Sequence, residues 1–271
     1  MVLCIAIAAL LASTAEAQQP RCCSFAQFAA DPGFRSVHHP PLPFADVDSE
    51  KGRWMYLPVT TPPVRLYVCG QLESASAVLL LFHEWWGLNE YIRREAEQLS
   101  AQLHVPVVAV DLYDGAVTAD PQEAARLMQS VSEQRIRQIL RTVLEALPAR
   151  ARIATLGWCF GGGWALQAAL EAGARAAACV MYYGMPELDT ARLRQLHCPV
   201  LGIFARRDRW ITPELAERFR VAMRQAGKEL EFLLYDAEHA FANPSNPRYN
   251  AAAARDARER CLRFLRKRLG Q

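Results

Sequence analysis

Three residues of this 271-residue chain could together perform nucleophilic acyl chemistry: Cys159, Asp208 and His239. Cys159 stands in Gly157-Trp158-Cys159-Phe160-Gly161-Gly162, where a short apolar run at 153–157 meets an Ala-rich helical run at 161–170. A strand, a tight turn and a helix are the setting of a nucleophile elbow, here with cysteine where the motif has serine. Glycines at 157 and 161 allow two backbones to approach where a side chain would clash. The thiol would face the first turn of a helix, whose unpaired N–H groups favour a thiolate and a developing oxyanion. Asp208 and His239 each follow an apolar run, one ending near Ala205 and the other at Tyr235. The chemistry expected is attack by sulfur, with His239 taking the thiol proton and Asp208 fixing the imidazole tautomer and stabilising its charged form.

The elements that must position these groups are legible from periodicity. A continuous apolar run predicts a central strand at 77–82, and further strands are expected at 105–110, 153–156, 176–182, 200–204 and 229–235. Strand-like pieces precede them at 53–57 and 65–68. Helical spacing joins Ile92, Ala96, Leu99 and Leu103, and it recurs over 121–147 with a break near 130–133. Thr212-Pro213-Glu214 reads as a helix start, and 248–269 as an amphipathic helix. Strands and helices alternating at these lengths predict an α/β fold with one open, mostly parallel sheet and helices on both faces. Catalytic groups in such a sheet lie past the C-terminal ends of the strands, where all three candidates fall.

The strand at 77–82 runs into His83-Glu84-Trp85-Trp86-Gly87. A carboxylate at the end of a buried strand needs a partner or a function, because an unpaired buried charge is costly. His83 reads as a satisfied structural histidine. A zinc motif HExxH would need histidine at 87, and Gly87 removes that reading.

Composition bounds the rest. With 31 basic and 28 acidic residues the net charge is +3, a mild excess that offers no nucleic-acid face. Residues 1–17 read as a signal peptide with a small-x-small site at Ala15-Glu16-Ala17, too short to insert stably in a membrane, so a periplasmic or secreted location is expected. Residues 18–63 read as a Pro-rich, extended N-terminal arm and 64–271 as the catalytic domain. His38 and His39 in the arm are expected to face solvent or pack locally. Of eight cysteines one lies in the leader; the adjacent Cys22 and Cys23 are candidates for bridging, Cys69 for their partner, and Cys179, Cys198 and Cys261 for small buried hydrophobes. No CxxC pair is present, and neither a metal nor a cofactor is expected.

Taken together, HEWWG at 83–87, Asp111-Leu112-Tyr113, GWCFGG at 157–162, Asp208 and His239-Ala240-Phe241 resemble the dienelactone hydrolase family of the α/β-hydrolase fold, over roughly residues 50–268. The resemblance implies a Cys159, Asp208 and His239 triad that cleaves a small-molecule ester or lactone through an acyl-enzyme. It also implies that Glu84 meets the resting thiol and helps form the thiolate, with an oxyanion hole at the Trp85 and Phe160 amides. Hydrolysis of a thioester or another activated acyl group is the rival within enzymes, and a noncatalytic ligand-binding relative is the rival outside them.

Where dienelactone hydrolases hold a substrate carboxylate with two arginines, this chain has Asp114-Gly115 and Asn243. An uncharged substrate is therefore expected, in a pocket lined by Trp86, Tyr113, Trp158, Phe241 and Asn243.

Overall fold

A computed structural model describes residues 25–42 and 51–270. The expected signal peptide, Cys4 and the Cys22-Cys23 pair lie outside the described residues. Eight strands form one sheet: β1 (Arg53–Leu57), β2 (Val64–Cys69), β3 (Ala77–Phe82), β4 (Val107–Val110), β5 (Arg152–Trp158), β6 (Ala176–Tyr182), β7 (Val200–Ala205) and β8 (Leu230–Tyr235). Their order is β1-β2-β4-β3-β5-β6-β7-β8, antiparallel only where β2 meets β1 and β4. The all-apolar runs become the centre, as β3, β4 and β7 are buried at every position. β5 sits mid-sheet between β3 and β6, so the residue after its C-terminus is held by strands on both sides.

Among the described residues the longer helices are α3 (Glu90–Leu103), α4 (Pro121–Ser130), α5 (Glu133–Ala146), α6 (Phe160–Ala172), α8 (Pro213–Gln225) and α9 (Ala251–Leu269), with a short α7 (Thr190–Leu193) before β7. The break expected near 130–133 is real: Val131 is extended and the Ser132 side chain accepts from Arg135 N–H to cap α5. Thr212 caps α8 in the same way, with Pro213 in its first turn. Both α6 and α9 pack on β5 and β6. α6 is buried almost all round, which its run of Gly and Ala permits.

The arm is not the extended segment its prolines suggested. It forms α1 (Phe25–Phe28) and α2 (Pro32–Val37), with Asp31 Oδ1 accepting from Gly33 N–H to cap α2. Proline is well tolerated in a first turn, so Pro32 starts a helix here rather than preventing one. Phe34 is fully buried and His38 nearly so, whereas His39 is exposed. The two histidines thus have separate surroundings. Cys69 is a buried free thiol, and Cys179, Cys198 and Cys261 are likewise buried and free.

Candidate active site

β5 delivers the chain into Cys159, whose φ of 54° lies in the left-handed region that side chains avoid. Close packing enforces that turn. A Cβ on Gly157 would stand 2.2 Å from the Gly161 carbonyl oxygen, and one on Gly161 would stand 2.4 Å from that of His83. Only with hydrogen at both places can α6 start directly behind the strand, leaving Cys159 at the crest with the Phe160 backbone N–H facing its sulfur.

Asp208 and His239 arrive from the loops after β7 and β8. Asp208 Oδ1 accepts from the backbone N–H of Trp210 at 2.9 Å and of Ile211 at 3.0 Å, which fixes the carboxylate. Its Oδ2 accepts from His239 Nδ1 at 2.6 Å. That bond places the ring proton on Nδ1 and turns Nε2 to Cys159 Sγ, 3.3 Å away. Burial acts to lower the basicity of His239, but Asp208 and Cys159 outweigh it and hold the imidazole well above its ordinary value. Burial pushes the Cys159 thiol up, against the pull of His239. Sulfur and Nε2 thus share one buried contact along which a proton can pass.

Glu84 is buried under this line. Its Oε2 accepts from Asn243 Nδ2, and its Oε1 from the Tyr183 hydroxyl at 3.5 Å. Burial raises its carboxyl to about 7, opposed by His239 and by these two donors. Its hydrogen bonds thus run to Asn243 and Tyr183, while the thiol is bonded to His239. Tyr183, on a strained backbone with φ of 38°, went unread in the sequence because it follows β6 with no motif around it. His83 is satisfied as expected: Nδ1 donates to the Glu84 carbonyl at 2.6 Å and Nε2 accepts from Leu112 N–H at 3.0 Å.

A cavity of about 370 Å³ reaches Glu84 and is lined in part by Trp86, Trp158 and Asn243. Tyr113 and Phe241 line neither this cavity nor the one at the triad. Phe241 is fully buried against Tyr183 and Tyr235, and Tyr113 packs on His83 and Phe160. Both are buried in the packing beside the site.

The second cavity, about 250 Å³, opens at His239 and is bounded by Arg207, Arg209, Arg248, Glu238, Trp210 and His38. Arg207 pairs with Asp236 at 3.4 Å and Arg248 with Glu238. Arginines thus border the cavity at His239, two of them paired with carboxylates. Asp114 is bound to Arg135 at 2.6 Å, which neutralises the repulsion expected of it.

The arm completes the site. Phe34 meets Trp85 and Trp210 edge to face, with ring centres 5.2 Å apart in each case, and His38 lies 4.5 Å from Trp85 and 5.3 Å from His239. His38 Nδ1 donates to the Phe34 carbonyl at 2.7 Å. Burial, helped by the nearby His239, lowers its pKa to about 3.

The sequence model of the dienelactone hydrolase family matches residues 64–269. The chain belongs to that family. As a member it is a hydrolase of the carboxylic ester and lactone class. A protein of Aquifex aeolicus provisionally named carboxymethylenebutenolidase is 24% identical over 216 residues, covering 75% of this chain and 93% of its own length. An Escherichia coli protein with the same provisional name is 28% identical over 217 residues, covering 72% and 79%. The crystal structure of a dienelactone hydrolase-like promiscuous phosphotriesterase from metagenomic libraries shares the fold, with a TM-score of 0.69 at 21% identity over 80% of this chain and 98% of its own. The family match begins at residue 64, so Phe34 and His38 lie outside it.

Proposed function

We propose that this family member hydrolyses a small ester or lactone through an acyl-enzyme on Cys159. The observation that carries the reading is the continuous line from Asp208 through His239 to Cys159. The thiol proton passes to His239 Nε2 as sulfur attacks the substrate carbonyl, and Asp208 stabilises the imidazolium. Negative charge collects on the carbonyl oxygen, where the Phe160 and Trp85 amides are the proposed donors. Collapse expels an alkoxide that takes the proton from His239, leaving a thioester. His239 then removes a proton from water, which attacks the thioester and returns sulfur as thiol. Glu84, raised to about 7 by burial, is part protonated at neutral pH, and in that neutral form it does not oppose the developing thiolate, since its ionised form would push the thiol up.

Intact-mass measurement during turnover of short acyl esters should find one acyl group on the chain, mapped to Cys159. Turnover that persists in Cys159→Ala would sink the reading. The bond between Asp208 and His239 weighs against a noncatalytic relative.

We further propose export, with a mature chain beginning at Gln18, on the strength of the apolar leader ending at Ala17. N-terminal sequencing of native protein checks this, and a retained Met1 in cytoplasmic material would remove it.

A further inference from the structure

We infer that His38, Cys159 and His239 form a binding site for a soft or borderline divalent metal, zinc above all, that caps the nucleophile and switches the enzyme off. The donor atoms of the three residues all lie within 4.8 Å of one another, and two of them are 3.3 Å apart. Zinc takes nitrogen at about 2.0–2.1 Å and thiolate sulfur at about 2.3 Å, so tetrahedral donors stand roughly 3.3–3.8 Å apart. Closing the set asks for a movement of about 1 Å by the arm residue.

The outer partners match as well. Metal-bound histidines generally donate their second ring N–H to a carboxylate or a carbonyl. Here His239 Nδ1 donates to Asp208 and His38 Nδ1 donates to the Phe34 carbonyl, which leaves both Nε2 atoms with lone pairs. His38 Nε2 is buried with no hydrogen-bond partner among the described residues, and buried polar atoms rarely stay unsatisfied. A metal would satisfy it and leave a fourth position for water. Binding breaks the S–H bond and forms a metal–sulfur bond; the proton leaves for solvent and no electrons change owner. Sulfur so held cannot attack a carbonyl. His38 comes from α2's C-terminal end, so the arm makes a triad ligand set out of what would otherwise be a dyad.

The test uses cobalt(II) as a spectroscopic stand-in on the full mature chain, with no substrate present. This separates it from the hydrolytic reading, which can fail alone. One equivalent should give the visible bands of a tetrahedral ion and a near-ultraviolet sulfur-to-cobalt band, and zinc should displace both. Cys159→Ala should lose the sulfur band. His38→Ala, and His38→Phe, which keeps a ring against Phe34 and Trp85, should weaken binding by at least about 10- to 100-fold, the loss seen when only an outer partner is removed. Zinc inhibition should weaken in parallel in the two His38 variants. Unchanged cobalt affinity in His38→Phe, or a wild-type spectrum with no sulfur band, would overturn the inference.

Discussion

Glu84 carries a proton whose removal can be followed. Its carboxyl is raised from the ordinary 4.5 to about 7, chiefly by burial. A raised folded value means the folded chain holds this proton more tightly than the unfolded chain. The associated stability is therefore complete below about pH 4.5 and is lost as pH climbs through 7. Urea unfolding at stepped pH should show wild type losing up to about 3 kcal/mol relative to Glu84→Gln across that window. Parallel curves would show that Glu84 does not titrate there. Asp208→Asn should leave the fold intact and lower kcat by roughly 10³- to 10⁴-fold, because an amide can donate to Nδ1 and reverse the tautomer. Cys159, Asp208 and His239 were legible because each follows its own strand run. His38 was not, since its neighbours Trp85 and His239 come from separate parts of the chain and no spacing announces them.

At the scale of elements, long runs were readable and short ones were not. Strands such as β3 are buried at every position and leave an unbroken apolar signature, and Ser132 marks the start of α5 by its capping chemistry. α1 and α2 have four and six residues, too few for a helical period to repeat, and they lie among prolines. What holds α2 down is Phe34. Phe34→Ala should cost up to about 3–5 kcal/mol locally, and hydrogen exchange should show protection collapsing over the arm while β5 and α6 keep theirs. Equal loss in all three would mean that the arm folds as one unit with the sheet. The turn between β5 and α6 makes a second case. A Cβ at Gly161 would press on the His83 and Phe82 carbonyl oxygens, so Gly161→Ala should cost about 1–3 kcal/mol and reduce kcat by displacing Cys159. An unaltered midpoint of thermal unfolding would contradict this.

Over the whole molecule, charge gathers at the triad mouth from segments far apart in the chain. Arg207 and Arg209 come from the loop after β7 and Arg248 from the loop before α9. Sequence order kept them separate, so nothing at 114 or 243 announces the arginines that the fold gathers here. These side chains are solvent-accessible, hence their pull on an anion should be screened by salt. For matched esters with and without a carboxylate, raising salt from low to high should lower kcat/KM for the charged one severalfold and leave the neutral one unchanged. Equal salt dependence for the two would show that the arginines do not meet substrate. The near-complete enclosure of Cys159, 1% exposed beneath the rings of the arm, has a kinetic side too. A reagent in free solution cannot strike that sulfur on first encounter, so reaction must wait for the arm to part. Alkylation should then rise with reagent concentration only to a ceiling, and that ceiling is the opening rate of the arm itself, a clock for the enclosure that any thiol reagent can read.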